Sequence, residues 1–163
     1  MNAIINEFLI LGRPQAEVFK NECCYSLLEE VLAVFEIQFE TNGINIHYQK
    51  ERGLTIHCDR NQIKQAFYNI LKNTIEALPF GGEVKITVDV VNAYQRIRFA
   101  DDGIGMTDEG LQRIGEPFYS TRPDGNGLGM MMVNKIVASH QGWLTISSEV
   151  GVGTTVEVFL PGS

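Results

Sequence analysis

The sequence predicts an α/β domain in which about three helices cover one face of a mixed, mostly antiparallel sheet. Three observations predict it. Apolar residues recur at helical spacing in two long segments, 25–40 and 59–78. A hairpin pattern fills 83–100, and two further alternating runs close the chain. With 163 residues and 44 % hydrophobic content, the chain can bury one core but not two, so a single domain is expected.

Each element has its own local reason. Residues 2–12 pattern as the last turns of a helix stopped at Pro14, because proline biases Arg13 away from helical angles. Residues 1–14 are therefore expected to end a preceding helix and 15–163 to form the domain. The apolar run Phe8–Leu11 has neither a basic leader nor a cleavage site, so no signal peptide or membrane span is expected there. From Tyr25 to Glu40, Leu27, Leu28, Val31, Leu32, Phe35 and Phe39 make an amphipathic helix that "TNG" ends at Gly43. "INIHYQ" at 44–49 reads as a strand. Asp59 sits where an N-cap would open a long helix to Leu78. "EVKITVDVV" and "QRIRFA" flank "NAY" as a hairpin whose second strand delivers Asp101. Residues 107–113 make a short helix. Residues 114–126, with two prolines, two glycines and no periodicity, make a long function-bearing loop. A helix near 128–140 and the strands "WLTISSE" and "TTVEVFL" complete the chain.

The charge balance excludes one class of partner. Thirteen basic against 20 acidic residues give a net charge of −7, which repels a phosphate backbone, so nucleic acid is not an expected partner. The three cysteines, Cys23, Cys24 and Cys58, match neither a disulfide framework nor a metal spacing, and a reducing cytosol is expected.

Three stretches carry candidate chemistry. On the long helix, Ile63, Phe67, Ile70, Leu71, Ile75 and Leu78 have core spacing, while Asn69, Asn73 and Glu76 share another face. Asparagine costs about 0.5–0.7 kcal/mol relative to alanine inside a helix. A solvated face is the plain alternative, but Lys, Glu and Gln build one at less cost, so ligand contact is favoured. An amide oxygen is a hard neutral donor suited to Mg²⁺. In "ADDGIGM" (100–106), a carboxylate at a strand end can accept from an exocyclic amino group, and Gly103 and Gly105 admit a flat ring such as adenine. Asp and Gly also build purely structural turns, so both readings stand at this point. In "GNGLGM" (125–130), Gly125, Gly127 and Gly129 precede a helix whose free N–H groups can hold phosphate oxygens, and a hinge explains them equally well. No Gly-x-x-x-x-Gly-Lys-Ser/Thr string occurs, and the second cluster does not follow a strand, so P-loop and dinucleotide sites are discounted. His47, His57 and His140 are too far apart to suggest a triad or zinc site.

Taken in order, "QAFYNILKNTIEAL" (65–78), "DDGIGM", "EPFYSTR" (116–122), "GNGLGM" and "SSEVGVGTTVEVFLP" (147–161) resemble the catalytic ATP-binding domain of bacterial sensor histidine kinases. They stand as that family's N box, first glycine box, F box, second glycine box and closing strand. The likeness covers roughly residues 15–161. The opening "INEFLILGRP" is similar to the tail of a dimerisation helix, particularly of the sporulation-sensor type. The resemblance implies a two-layer Bergerat-type ATP-binding fold, shared with gyrase, heat-shock chaperone and mismatch-repair ATPases. It implies that Asn73 gives an oxygen to Mg²⁺, that Asn69 supports the phosphate side, and that Asp101 bonds the adenine amino group. Gly103 and Gly105 would shape the base pocket, and Thr154 would reach the adenine through water. Phe118 would anchor a lid, Arg122 would meet the γ-phosphate, and Gly125, Gly127, Leu128 and Gly129 would form the hinge and phosphate turn.

The departures from the family pattern also carry expectations. The hydrolysing ATPases place a glutamate general base where this chain has Asn69, and an amide cannot take a proton that way, so poor intrinsic hydrolysis is expected. Several histidine kinases carry a basic residue where Glu76 stands, which shifts charge neutralisation onto Mg²⁺ and Arg122. No phosphoacceptor "His-Glu-x-x-Asn-Pro" stretch is present. The expected activity is therefore that of a catalytic fragment, monomeric by itself, within a homodimeric parent. It would pass the γ-phosphoryl of ATP to a histidine on the parent's dimerisation domain, and onward to a response regulator. A cytoplasmic site of action is expected. A serine kinase acting as an anti-sigma factor and a non-catalytic interaction module are the alternatives.

Overall fold

The computed structural model describes residues 17–50, 54–114 and 129–163. Strand β1 (Phe19–Cys23) runs directly into helix α1 (Cys24–Asn42), whose end is set by Gly43 at a left-handed φ of 69°. Strand β2 (Ile44–Tyr48) and strand β3 (Thr55–Asp59) follow, and helix α2 (Arg60–Glu76) starts at once. Asp59 is both the last residue of β3 and the cap of α2. Its Oδ1 accepts from the backbone N–H of Asn61 at 3.0 Å and of Gln62 at 3.1 Å. Strands β4 (Gly82–Val91) and β5 (Tyr94–Asp101) form the expected hairpin, turned by Asn92 and Ala93, both at positive φ. Helix α3 (Asp108–Arg113) is capped by the Thr107 hydroxyl, which accepts from Gly110 N–H at 3.1 Å. Helix α4 (Gly129–Ser139) and strands β6 (Trp143–Glu149) and β7 (Gly153–Pro161) complete the described chain.

Five strands make one sheet in the order β2-β4-β5-β7-β6, with β2–β4 parallel and the other pairs antiparallel. Alternation divides its faces. Val84, Ile86, Ile97, Phe99, Val156 and Val158 point inward onto α1, α2 and α4, in one core with Leu28, Phe35, Phe67, Ile70, Met132 and Val133. Helix α2 touches both α1 and α4. On the opposite face, Arg96 grips Asp89 (2.9 and 2.6 Å) and Arg98 grips Glu157 (3.0 and 2.9 Å). The two-layer α/β architecture predicted from the sequence is the one observed.

Two features differ from the sequence reading. The strands β1 and β3 pair antiparallel as a separate two-stranded sheet, Phe19 opposite Asp59 and Cys23 opposite Thr55, where the sequence reading placed no strand. The helix expected to reach Leu78 ends at Glu76, because Ala77 turns its carbonyl to the loop after β5. The helical tail expected over 1–14 and the loop expected over 114–126 lie outside the described residues, except Ile114. Cys23, Cys24 and Cys58 are free thiols. Among the described residues, no helix is long and apolar enough to cross a membrane.

Candidate functional site

Strand β5 ends by presenting Asp101 opposite Thr154 of β7. One carboxylate oxygen, Oδ1, accepts from Gly103 N–H at 2.9 Å and from Thr154 N–H at 3.3 Å. The other, Oδ2, has no partner among the described residues. Burial pushes the Asp101 carboxyl above its ordinary range. The two N–H donors oppose that shift, and the charge of Asp102 adds to it. The adjacent aspartates have separate tasks, since Asp102 turns away and its Oδ1 accepts from Glu83 N–H at 2.8 Å, fixing the start of β4.

The loop after Asp101 is wedged between two carbonyls. Ile104 donates its N–H to the Ala77 carbonyl at 3.0 Å, and a Cβ on Gly103 would lie 2.3 Å from that same oxygen. Gly105 has φ +72°, and a Cβ there would lie 2.0 Å from the Glu149 carbonyl oxygen. The chain's own backbone, independently of any ligand, thus demands both glycines. The far side of the loop is tied by Gly151 N–H to the Ile104 carbonyl (2.9 Å) and by Met106 N–H to the Ser148 hydroxyl (2.8 Å).

Helix α2 connects this loop to the start of α4. Asn69 is 1 % exposed, its Oδ1 accepts from Gln65 at 3.0 Å, and its Nδ2 reaches the Gly129 carbonyl at 3.4 Å and Met132 Sδ at 3.5 Å. Both ends of that amide are engaged by protein, so Asn69 fixes the first turn of α4. Asn73, one turn on, is half-buried and precedes Ala77 by four residues, which places it at the end of α2 that touches Gly103 and Ile104. Of the two amides, Asn73 is the one with no side-chain partner among the described residues. Among the described residues no group of three His, Cys, Asp or Glu side chains could hold a metal, so an ion here would depend on amide and ligand oxygens.

The structure therefore brings Asn69, Asn73, Asp101, Gly103, Gly105, Gly129 and Thr154 to one region, around the C-terminal half of α2. Phe118, Arg122, Gly125, Gly127 and Leu128 lie outside the described residues. The sequence reading missed Ser148, whose hydroxyl joins Met106, Thr154 and Gly153. The only sequence signal was a pair of hydroxyl residues flanking the tight turn after β6. His140 is 3 % exposed, with Nε2 on Asp59 N–H at 3.2 Å and Nδ1 on the Ile136 carbonyl at 2.8 Å. That is a structural role.

Residues 58–163 match the family described as histidine kinase-, DNA gyrase B- and HSP90-like ATPases. Sporulation kinase E of Bacillus subtilis is 37 % identical over 163 residues, covering 99 % of this chain and 22 % of that protein. The solved catalytic domain of histidine kinase ThkA, nucleotide free, superposes with TM-score 0.79 at 26 % identity, covering 88 % of this chain and 95 % of that one. ThkA in complex with the response regulator TrrA gives TM-score 0.81 at 25 % identity over 98 % of this chain and 46 % of that one. Full-length ShkA in complex with AMPPNP gives 0.84 at 25 % identity over 98 % of this chain and 34 % of that one. The chain belongs to the histidine kinase-, DNA gyrase B- and HSP90-like ATPase family, and its two-layer sandwich is that family's ATP-binding fold. It spans about a fifth of the length of the sporulation kinase it matches.

Proposed function

We propose that this domain binds ATP with Mg²⁺ and, within a longer sensor histidine kinase, transfers the γ-phosphoryl group to a histidine on a separate dimerisation domain. The observation that carries the reading is Asp101. Two backbone N–H groups hold one oxygen of its partly buried carboxylate, and the other has no partner among the described residues at the junction of the glycine loop, α2 and β7. A fixed anionic acceptor there suits the exocyclic amino group of adenine. Gly103 and Gly105 keep the loop's backbone in place, and Thr154 stands beside Asp101 for a water-bridged contact with the base. Asn69 holds the first turn of α4, whose N-terminal N–H groups suit phosphate oxygens. Asn73 supplies an oxygen to Mg²⁺, and the ion, when bound, neutralises charge on the transferring phosphate.

Phe118 is assigned to anchor the lid and Arg122 to contact the γ-phosphate. Gly125, Gly127 and Leu128 are assigned, with Gly129, to the hinge and phosphate turn. In transfer, a histidine nitrogen of the partner domain forms its bond to phosphorus as the bond to the leaving ADP oxygen breaks. The neutral imidazole is already nucleophilic, so this chain contributes position and charge stabilisation rather than a base. The solved kinase–regulator complex of ThkA supports a response regulator as the downstream partner, and the sporulation kinase supports a sporulation-sensor parent. Residues 1–14 are assigned to the end of the dimerisation helix, this domain to the cytoplasm, and the parent to a dimeric kinase. The serine kinase and interaction-module alternatives are not favoured.

The test is titration of the chain with ATP and ADP, with and without Mg²⁺, alongside Asp101→Asn. Saturable binding lost on substitution is expected, followed by labelling of an added histidine-bearing domain from γ-labelled ATP. Folded wild-type chain that binds neither nucleotide would refute the reading.

A further inference from the structure

We infer that Ser148 is a positioning residue of the nucleobase pocket, acting through Thr154 and the Met106 amide on Asp101; this rests on the ATP-binding reading above. The Ser148 hydroxyl is the meeting point of three segments. It accepts from Met106 N–H at 2.8 Å, lies 2.7 Å from Thr154 Oγ1, and reaches the Gly153 carbonyl at 3.1 Å. The β6–β7 ladder from Trp143 to Glu149 already sets the strand register, and Val152 N–H closes the turn on the Glu149 carbonyl at 3.0 Å. The turn therefore does not need this hydroxyl, which instead ties it to the glycine loop and to Thr154.

A serine hydroxyl has one proton and two lone pairs. With Met106 on one lone pair, the proton goes either to the Gly153 carbonyl or to Thr154 Oγ1. In the first case Thr154 donates to Ser148 and shows the pocket only lone pairs. In the second, Thr154 receives and keeps its own proton to donate. Ser148 thus decides what the Thr154 hydroxyl offers to a base or its bridging water. Thr154 also donates its own N–H to Asp101 Oδ1 at 3.3 Å, beside Gly103 N–H at 2.9 Å, so the hydroxyl that Ser148 orients stands next to that carboxylate. Without the Ser148 hydroxyl, Met106 N–H loses its acceptor and Thr154 its partner. The Thr154 hydroxyl beside Asp101, and the glycine loop that Met106 closes, are then no longer held in one place relative to the base.

The experiment titrates the chain with ATP and with purine riboside triphosphate, which lacks the amino group, and records melting curves of each variant. Wild type is expected to prefer ATP by on the order of tenfold, the worth of one charge-assisted hydrogen bond. Ser148→Ala is expected to weaken ATP binding roughly fivefold, to leave the analogue within about twofold, and so to shrink the preference. Ser148→Thr, which keeps a hydroxyl, should restore it. Equal weakening of both ligands, or a lowered melting temperature with the preference intact, would overturn the inference. If Ser148→Ala does not fold, Thr154→Val makes the same test while keeping the backbone donor; a smaller preference supports the inference and an unchanged one overturns it. Wild type without a preference for ATP, or Asp101→Asn that retains it, overturns the ATP reading itself. An Asp101-dependent preference that Ser148→Ala leaves at the wild-type value overturns only the role of Ser148.

Discussion

Replacing Gly105 with alanine should reveal how tightly the loop after β5 is clamped to the turn after β6. At φ +72° an alanine carries left-handed strain of about 1–2 kcal/mol. Its Cβ would stand 2.0 Å from the Glu149 carbonyl oxygen and 3.0 Å from the Val150 Cα, so the two segments must part. Separation takes with it the Gly151–Ile104 hydrogen bond (2.9 Å) and the Met106–Ser148 hydrogen bond (2.8 Å). At about 1 kcal/mol each, they bring the total to roughly 3–4 kcal/mol. In a chain of this size that is a fall of roughly 6–16 °C in melting temperature, at about 2–4 °C per kcal/mol. Gly151→Ala is the matched control, because Gly151 has φ +80° but nothing within 4 Å of the added Cβ, so only the backbone strain applies. Thermal unfolding followed by circular dichroism reads both. If Gly105→Ala melts no lower than Gly151→Ala, the wedge does not contribute and the reasoning fails.

Three other expectations follow from the same geometry. Asp59→Ala removes the acceptor for Asn61, Gln62 and Val18 N–H, and should destabilise the chain by about 1–2 kcal/mol in denaturant unfolding, with Asp59→Ser recovering much of the loss. Asp101→Asn should leave the chain at least as stable at neutral pH while abolishing nucleotide binding. A carboxyl whose folded pKa is raised by burial opposes folding above that pKa, and the penalty fades as pH falls to the unfolded-state value. The stability difference from wild type should therefore vanish in acid, and a loss of stability at neutral pH would contradict it. With Asn69 in place of a general base, ATP hydrolysis by the isolated chain should stay well below about 1 s⁻¹ in a coupled assay, and ordinary turnover would refute that assignment.

The large elements were legible because their signals are local. The apolar spacing of α1 and α2, the cap at Asp59 and the hairpin around Asn92 and Ala93 are written in neighbouring residues. Strands β1 and β3 were not, because "FKNEC" has little apolar alternation and "TIHCD" is five residues ending in a helix cap. Each becomes a strand by pairing with the other across 32 to 40 residues of chain, a contact with no local trace. In the site, Asp101, Asn73 and the glycines were visible as motifs, but the reason for the glycines was not. It lies in the carbonyls of Ala77 and Glu149, which sequence places far from them. Ser148 went unnoticed for the same reason, since a serine in an edge strand has no distinguishing pattern until its three partners are known.

The two hairpins of the sheet, β4–β5 and β6–β7, close over short turns, whereas four contacts that build the nucleotide region join segments distant in sequence. Ala77 meets Ile104, Met106 meets Ser148, Asp101 meets Thr154 and Asn69 meets Gly129. Long loops must close before such contacts form, so the hairpins are expected to assemble first and this junction late. The same ordering governs opening in the native state. In hydrogen exchange, the amides of Ile104, Met106 and Thr154 should trade their protons ahead of those in the β4–β5 ladder, so the region proposed to receive a ligand should also be the first to breathe.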